Sequence, residues 1–456
     1  MRTLSALFLV GCASSPSHAP EPMPVAPTIT VSSLATPIVT PIEPATVASA
    51  VKLRVTTTVV DEPSSAGAKL GIIRRGTIAA IQHEADGDAR CPRWIEIAPR
   101  GWLCETQIER TTEAPTAAPE ITLATPDDAG DIPVPGLYGA VRGKDVIAYA
   151  SAADAKAGNG RVLVGSNSVR AAGATVIDGK RFWKTSSGEL IEASSIAVFS
   201  PSKFHGVALA PGAQLPAWAR SRRDPYKPVA LRDERGAVIG KLAPRTIVYP
   251  RETSDDGKRV RIDDATWIAR DDLRIAQLTE PPSDTAPDEK WFDVDLEDQV
   301  LVAYEGERPV YATLVSTGKT GDRGKHGTPP GIARIRSKHL TATMNNDKGE
   351  AYSVAAVPWT MYYDGSYALH SSYWHDGFGG RRSHGCINLA PRDARVLYAW
   401  SSPDVPPGWI AVYGDVDHPG SLVRVRSKRV PEPGFRGYAR TLHDRVSDIG
   451  HVTAIR

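Results

Sequence analysis

The sequence predicts a multidomain, mainly β protein, with small β-barrels followed by a mixed β domain that carries a short helix. Three observations predict it. Short alternating apolar runs with glycine turns, and no helical period, recur over residues 51–110, 136–200 and 225–278. Stretches rich in Pro, Ala, Thr and Ser at 13–50, 111–135 and 279–289 separate these segments, and such a composition cannot bury a core. From Trp291 onward the texture changes to longer apolar strands, and Pro391 opens a helix through Trp400, proline being suited to a first helical turn. At 456 residues the chain exceeds what one core organises, and 41% apolar residues suffice for several.

The elements follow in chain order. Arg2 and the apolar run Leu4–Val10 read as an export signal. Leu9-Val10-Gly11-Cys12 resembles a bacterial lipobox, which implies that Cys12 is lipidated and tethers a periplasmic protein to the envelope, with the outer membrane expected. Residues 13–50 are then an extended tether. No run of 18 apolar residues exists to span a membrane as a helix. The formal charge of +2 gives no general attraction to nucleic acid, so none is expected as a partner.

In the first β segment Cys91 and Cys104 flank Trp94 and Gly101-Trp102. Outside the cytosol they can oxidise and close a small hairpin, a bridge contributing about 3 kcal/mol, or they can remain two buried thiols. Cys386 is left without a partner, and an odd exported thiol invites a chemical explanation. The second segment carries Arg181-Phe182-Trp183 and Gly188-Glu189-Leu190-Ile191; the third carries Ala237–Leu242 and Trp267-Ile268. All three resemble bacterial SH3-like modules, by spacing and not by an invariant motif. That resemblance implies either a wall-binding or a spacer role.

The last segment, 290–416, opens with Phe292–Leu296, whose strict alternation predicts a half-buried strand. Gln299–Tyr304 and Val310–Val315 read as two more strands around the turn Glu305-Gly306. Then come Ser316-Thr317-Gly318, Thr328-Pro329-Pro330-Gly331, a strand ending at His370, and Ser383-His384-Gly385-Cys386-Ile387-Asn388. The order of hairpin, S-T-G, T-P-x-G and H-x13-H-G-C-I-N resembles the YkuD domain of L,D-transpeptidases. Residues 417–456 read as a basic, solvated tail around Arg424, Arg426, Lys428 and Arg429.

The chemistry can be read beside the resemblance. A thiolate attacks an amide or ester carbonyl, and it needs a base within reach and donors for the oxyanion. The resemblance implies Cys386 as nucleophile, His370 as base, and the carbonyl of Ser371 as the group that orients it. Gly385 permits close backbone approach, the Cys386 amide helps form the oxyanion hole, and His384 supports the site. Arg381 and Arg382 either favour the thiolate, meet a stem-peptide carboxylate, or are solvated charges. Asn388, Tyr352 and Trp359 are further candidates for substrate contact, Tyr352 and Trp359 together with Tyr362 and Tyr363 forming a lid or packing in the core. His375 reads as structural or lid-forming. The implied activity is 3→3 crosslinking of peptidoglycan stem peptides through a thioester, with no cofactor and no metal. Hydrolysis or lipoprotein anchoring would use the same acyl-enzyme. Two other classes fit less well: an inert wall-binding lipoprotein, against which an intact His370 and Cys386 argue, and a metallopeptidase using His370, His375, His384 and Cys386, whose spacing lacks the usual ligand pairs.

Overall fold

In the structure, a computed structural model, residues 50–117, 123, 134–222, 224–283, 285–320, 324–346 and 351–444 are described. Cys12 and its tether lie outside them. The chain is mainly β and multidomain.

The C-terminal domain is built on two sheets. β1 (Lys290–Asp295), β2 (Val300–Glu305) and β3 (Arg308–Leu314) form an antiparallel meander, as the apolar runs predict. β4 (Gly331–Arg334) enters the same sheet farther along. The second sheet holds β5 (Ser337–Asn346), β6 (Tyr352–Asp364), β7 (Tyr367–Ser371) and β8 (Ile387–Leu389). α1 (Pro391–Trp400) follows, with Pro391 in its first turn, and β9 (Trp409–Tyr413) pairs with β5. Between the layers Phe292, Val294, Leu301, Met361, Leu369, Ile387 and Leu397 make one core. Asp393 on α1, fully buried, ties helix to sheet by accepting from Tyr311 Oη at 2.8 Å and from Thr313 Oγ1.

Two expectations are corrected here. The residues after 417 are not all a solvated tail, because β10 (Leu422–Arg426) runs parallel beside β1 and antiparallel to β4, in the middle of the first sheet. Its register sets Arg424 opposite Asp293 and Arg426 opposite Asp295. The alternation of β1 therefore does not mean one wet face. Asp293 is only 1% exposed and accepts from Arg424 Nε at 2.7 Å and Arg426 Nε at 2.8 Å. Of the charges read as solvated, Lys428 and Arg429 are exposed, but Arg424 and Arg426 close on the buried Asp293, where losing one partner costs about 3–5 kcal/mol by stranding the other.

Upstream, three β units precede this domain, and each ends in a strand, a 3-10 turn and a strand: Trp102–Thr111, Leu190–Val198 and Trp267–Ile275. The third begins earlier than residue 225. Ala217-Trp218-Ala219 is a fully buried strand pairing with Leu273–Ile275, too short to show a period in the sequence. In the first unit Cys91 and Cys104 are joined as a disulfide, Cα atoms 5.6 Å apart.

These units are joined to the C-terminal domain by backbone pairing. Lys69–Ile73 pairs with β9, Ser166–Ser168 runs parallel to Tyr352–Val354 of β6, and Val207-Ala208 extends the first sheet beside β3. Cores are shared as well: Trp409 and Val412 pack with the first unit, Tyr138 with the domain core, and Trp218 with Trp291 and Tyr304. The segment 279–289, expected to be a free linker, is docked: Arg424 donates to Glu280 O and Thr279 Oγ1, each at 2.8 Å.

Candidate active site

The site forms where β7 and β8 run side by side. Their parallel register places His370 opposite Asn388 and Leu369 opposite Ile387, and Cys386 immediately precedes β8. Cys386 Sγ lies 3.7 Å from Ser366 O, and the nearby Ala368 amide favours its thiolate.

His370 is buried, and its Nδ1 lies 3.0 Å from the carbonyl of Ser371. A carbonyl only accepts, so Nδ1 carries the proton and Nε2 keeps the lone pair a base requires. Burial lowers His370 to about 4, with a small opposing push from that hydrogen bond. Burial also pushes the Cys386 thiol up to about 11, partly offset by the Ala368 amide, although the residue keeps an open side. Tyr352, Tyr362 and Tyr363 stand close enough for charge on Cys386 to raise their own pKa values, after burial. Both shifts favour a neutral thiol and a neutral imidazole at rest.

The loop around the thiol is fixed by groups whose part the sequence did not reveal. Thr328 accepts from Gly318 N at 2.9 Å and donates to Gly385 O at 2.7 Å, joining T-P-x-G, S-T-G and H-G-C through one hydroxyl. A planar trans peptide sets its N–H opposite its C=O, so anchoring the Gly385 carbonyl aims the Cys386 N–H the other way, as an oxyanion donor. Gly385 sits at φ +131°, and an added Cβ would come within 2.6 Å of the Tyr367 ring. Ser383 Oγ accepts from Gly385 N at 3.0 Å and donates to Cys386 O at 2.6 Å. Gln299 brackets Thr317, accepting its N–H at 2.9 Å and donating to its Oγ1 at 2.7 Å. Among the described residues no group of three or more His, Cys, Asp or Glu is placed to hold a metal.

Comparison with known proteins bears on this geometry. Residues 289–425 match the YkuD family model, the L,D-transpeptidase catalytic domain. This segment is a YkuD domain. Similar solved structures include a cysteine-to-serine variant of the Enterococcus faecium L,D-transpeptidase, at 26% identity over 30% of this chain and 50% of that one, TM-score 0.24. The L,D-transpeptidase of Stackebrandtia nassauensis is 26% identical over 32% of this chain and 60% of that one, TM-score 0.23. The E. faecium catalytic domain acylated by ertapenem is 25% identical over 30% of this chain and 98% of that one, TM-score 0.23. The chain spans about half the length of the first of these. No curated protein matches it.

Within the YkuD domain the remaining candidates fall into different places. His384 lies beside the rings of His326 and Tyr352, at 4.6 and 5.2 Å between centroids, so Tyr352 flanks the thiol. Trp359 is buried at φ +50° in the domain core that also holds Tyr363. Arg381 is held away by Leu296 O at 2.7 Å and by Glu297. Arg382 is exposed and its chain lies over Gly377. Asn388 bridges to Ser316 through its backbone, and its carboxamide meets His375 Nε2 at 2.9 Å, which gives both a structural part.

Thr328→Val keeps the shape and deletes both hydroxyl bonds. It should lower the melting temperature by a loss of about 1–3 kcal/mol and turnover by roughly 10–100-fold, with KM little changed. Thr328→Ser, which keeps the hydroxyl, should retain most of both in steady-state assays and thermal melts.

Proposed function

We propose that the protein is a peptidoglycan L,D-transpeptidase working through a thioester on Cys386, and that its three upstream units are SH3-like. The observation that carries the reading is the His370 imidazole, held by Ser371 O with its Nε2 lone pair available, on a strand paired with the one that Cys386 leads into, where Thr328 anchors the peptide flanking the thiol. The Cys386 proton passes to His370 Nε2 as sulfur attacks the carbonyl of the third stem residue, meso-diaminopimelate. The amine of the departing D-Ala takes that proton, leaving a thioester. An amine of a neighbouring stem then attacks and gives a proton to His370 Nε2; the sulfur is expelled and takes that proton back, leaving a 3→3 crosslink and the resting pair. No cofactor enters these steps. The chemistry takes place on the wall outside the cytoplasm.

Incubating purified protein with tetrapeptide-rich sacculi and separating the muropeptides tests this. The expected product is a 3→3 crosslinked dimer with release of D-Ala. Tripeptides alone would make water the acceptor. Unchanged tetrapeptides would overturn the reading. A carbapenem should acylate the same sulfur, giving one adduct per chain on the Cys386 peptide and none on the bridged Cys91 and Cys104.

A further inference from the structure

The loop from His375 to Arg382 joins β7 to the turn that delivers Cys386, and arginines of the third β unit hold it. Arg220 Nε donates to Phe378 O at 2.8 Å, and Arg274 Nε donates to Gly379 O at 3.0 Å. Arg245 grips Asp376 with two parallel bonds, at 2.6 and 2.7 Å. Arg220 and Arg274 are only 6% and 3% exposed. Two buried cations that meet loop carbonyls, with neighbouring arginines beside them, are an expensive way to gain stability alone. Burial and those neighbours lower both to about 10, so they remain charged at neutral pH.

The loop is shaped to receive them. Gly379 stands at φ +83°, and an added Cβ there would lie 2.5 Å from Arg220 Cδ. At Gly380 it would lie 2.4 Å from Arg220 Nη2. On its other side the loop bonds the S-T-G strand, through Gly379 N to Val315 O and Arg382 N to Thr317 O. From there the chain runs directly into Ser383, and His375 leans on Asn388, two residues past Cys386.

We infer that the third β unit is a positioning element of the active site, with Arg220, Arg274 and Arg245 fixing the loop that sets Ser383 to Cys386. The inference rests on Cys386 being the nucleophile, and it gives this unit a part beyond spacing or wall attachment. None of the three arginines touches substrate; each acts through the loop.

The full-length chain tests it. Arg220→Ala should fold, lower kcat on a stem tetrapeptide by roughly tenfold or more, and leave KM within about twofold, since small misplacements cost rate more than binding. Its iodoacetamide labelling of Cys386 should change as well. Gly380→Ala keeps every arginine but obstructs the seat, and it should reproduce the same split. The double variant should be little worse than either, as coupled contacts are not additive. Arg235→Ala, which removes an exposed cation of the same unit, should behave as wild type; an equal drop there would assign the effect to charge and overturn the inference. Folded Arg220→Ala and Gly380→Ala proteins with wild-type kcat and labelling would overturn it too, as would failure of both to fold. If the wild type ignores the tetrapeptide while the labelling rates still respond, the transpeptidase reading falls and the positioning role stands.

Discussion

Replacing Cys386 with alanine is expected to abolish turnover while leaving the fold intact. The side chain keeps an open side at the start of β8, and deleting its sulfur disturbs no core contact, so the stability change should stay under about 1 kcal/mol. Activity should drop by roughly 10⁴-fold or more, because no neighbouring group can take over the nucleophile. Among the described residues Cys386 is the only free cysteine, the other pair being bridged. Thermal melting with muropeptide analysis of the same preparation measures both quantities. A folded Cys386→Ala protein keeping more than a few per cent of turnover would mean that another residue attacks.

How much of this was legible depends on distance along the chain. Cys386, Gly385 and His384 are adjacent, and His370 stands at a fixed H-x13-H spacing from His384, so a linear motif contains them. The first three strands were readable because each buries side chains in a regular order, and the helix because Pro391 suits its first turn. Asp293 and Arg424 show the opposite case. They are 131 residues apart, and nothing near either tells that β10 will lie beside β1. A cluster of arginines looks the same in sequence whether it faces water or buried carboxylates, so the last strand reads as a tail.

Thr328 reads in the sequence as part of a motif without a task, because its bonds run to Gly318 and Gly385, both through backbone atoms that carry no sequence signal. A tryptophan in an aromatic-rich segment fits a lid or a core equally in the sequence, and Trp359 is buried with Tyr363 in the domain core. The upstream units were legible as short strands but not as partners. Edge pairing such as Ser168 with Val354 is set by backbone groups that every residue possesses. The consequence is functional. β6 carries Tyr352 beside the thiol, and the second unit extends the sheet at that residue, with Ser166 opposite Tyr352. One wall of the site is therefore braced by the second unit and another by the third.

His370→Ala should lower acylation by roughly 10²–10⁴-fold, the usual contribution of a positioned general base, whereas His375→Ala should be far milder because that ring leans on Asn388. The pH dependence separates this from a general loss of structure. Burial holds His370 at about 4 and Cys386 at about 11, so between those values the pair is neutral, and the base is competent throughout. As pH falls, wild-type turnover should survive from 7 to 5 and disappear only as His370 takes its proton near 4. As pH rises, alkylation of Cys386 by iodoacetamide, which requires the thiolate, should keep increasing through pH 9 without levelling. Both measurements use the same protein, and the residual activity of His370→Ala should follow the alkylation curve, since proton removal then falls to solvent. A plateau of alkylation below pH 7 would instead mean a thiolate–imidazolium pair already formed at rest. The resting site would then be charged, and transfer of the proton to Nε2 would precede substrate attack instead of accompanying it.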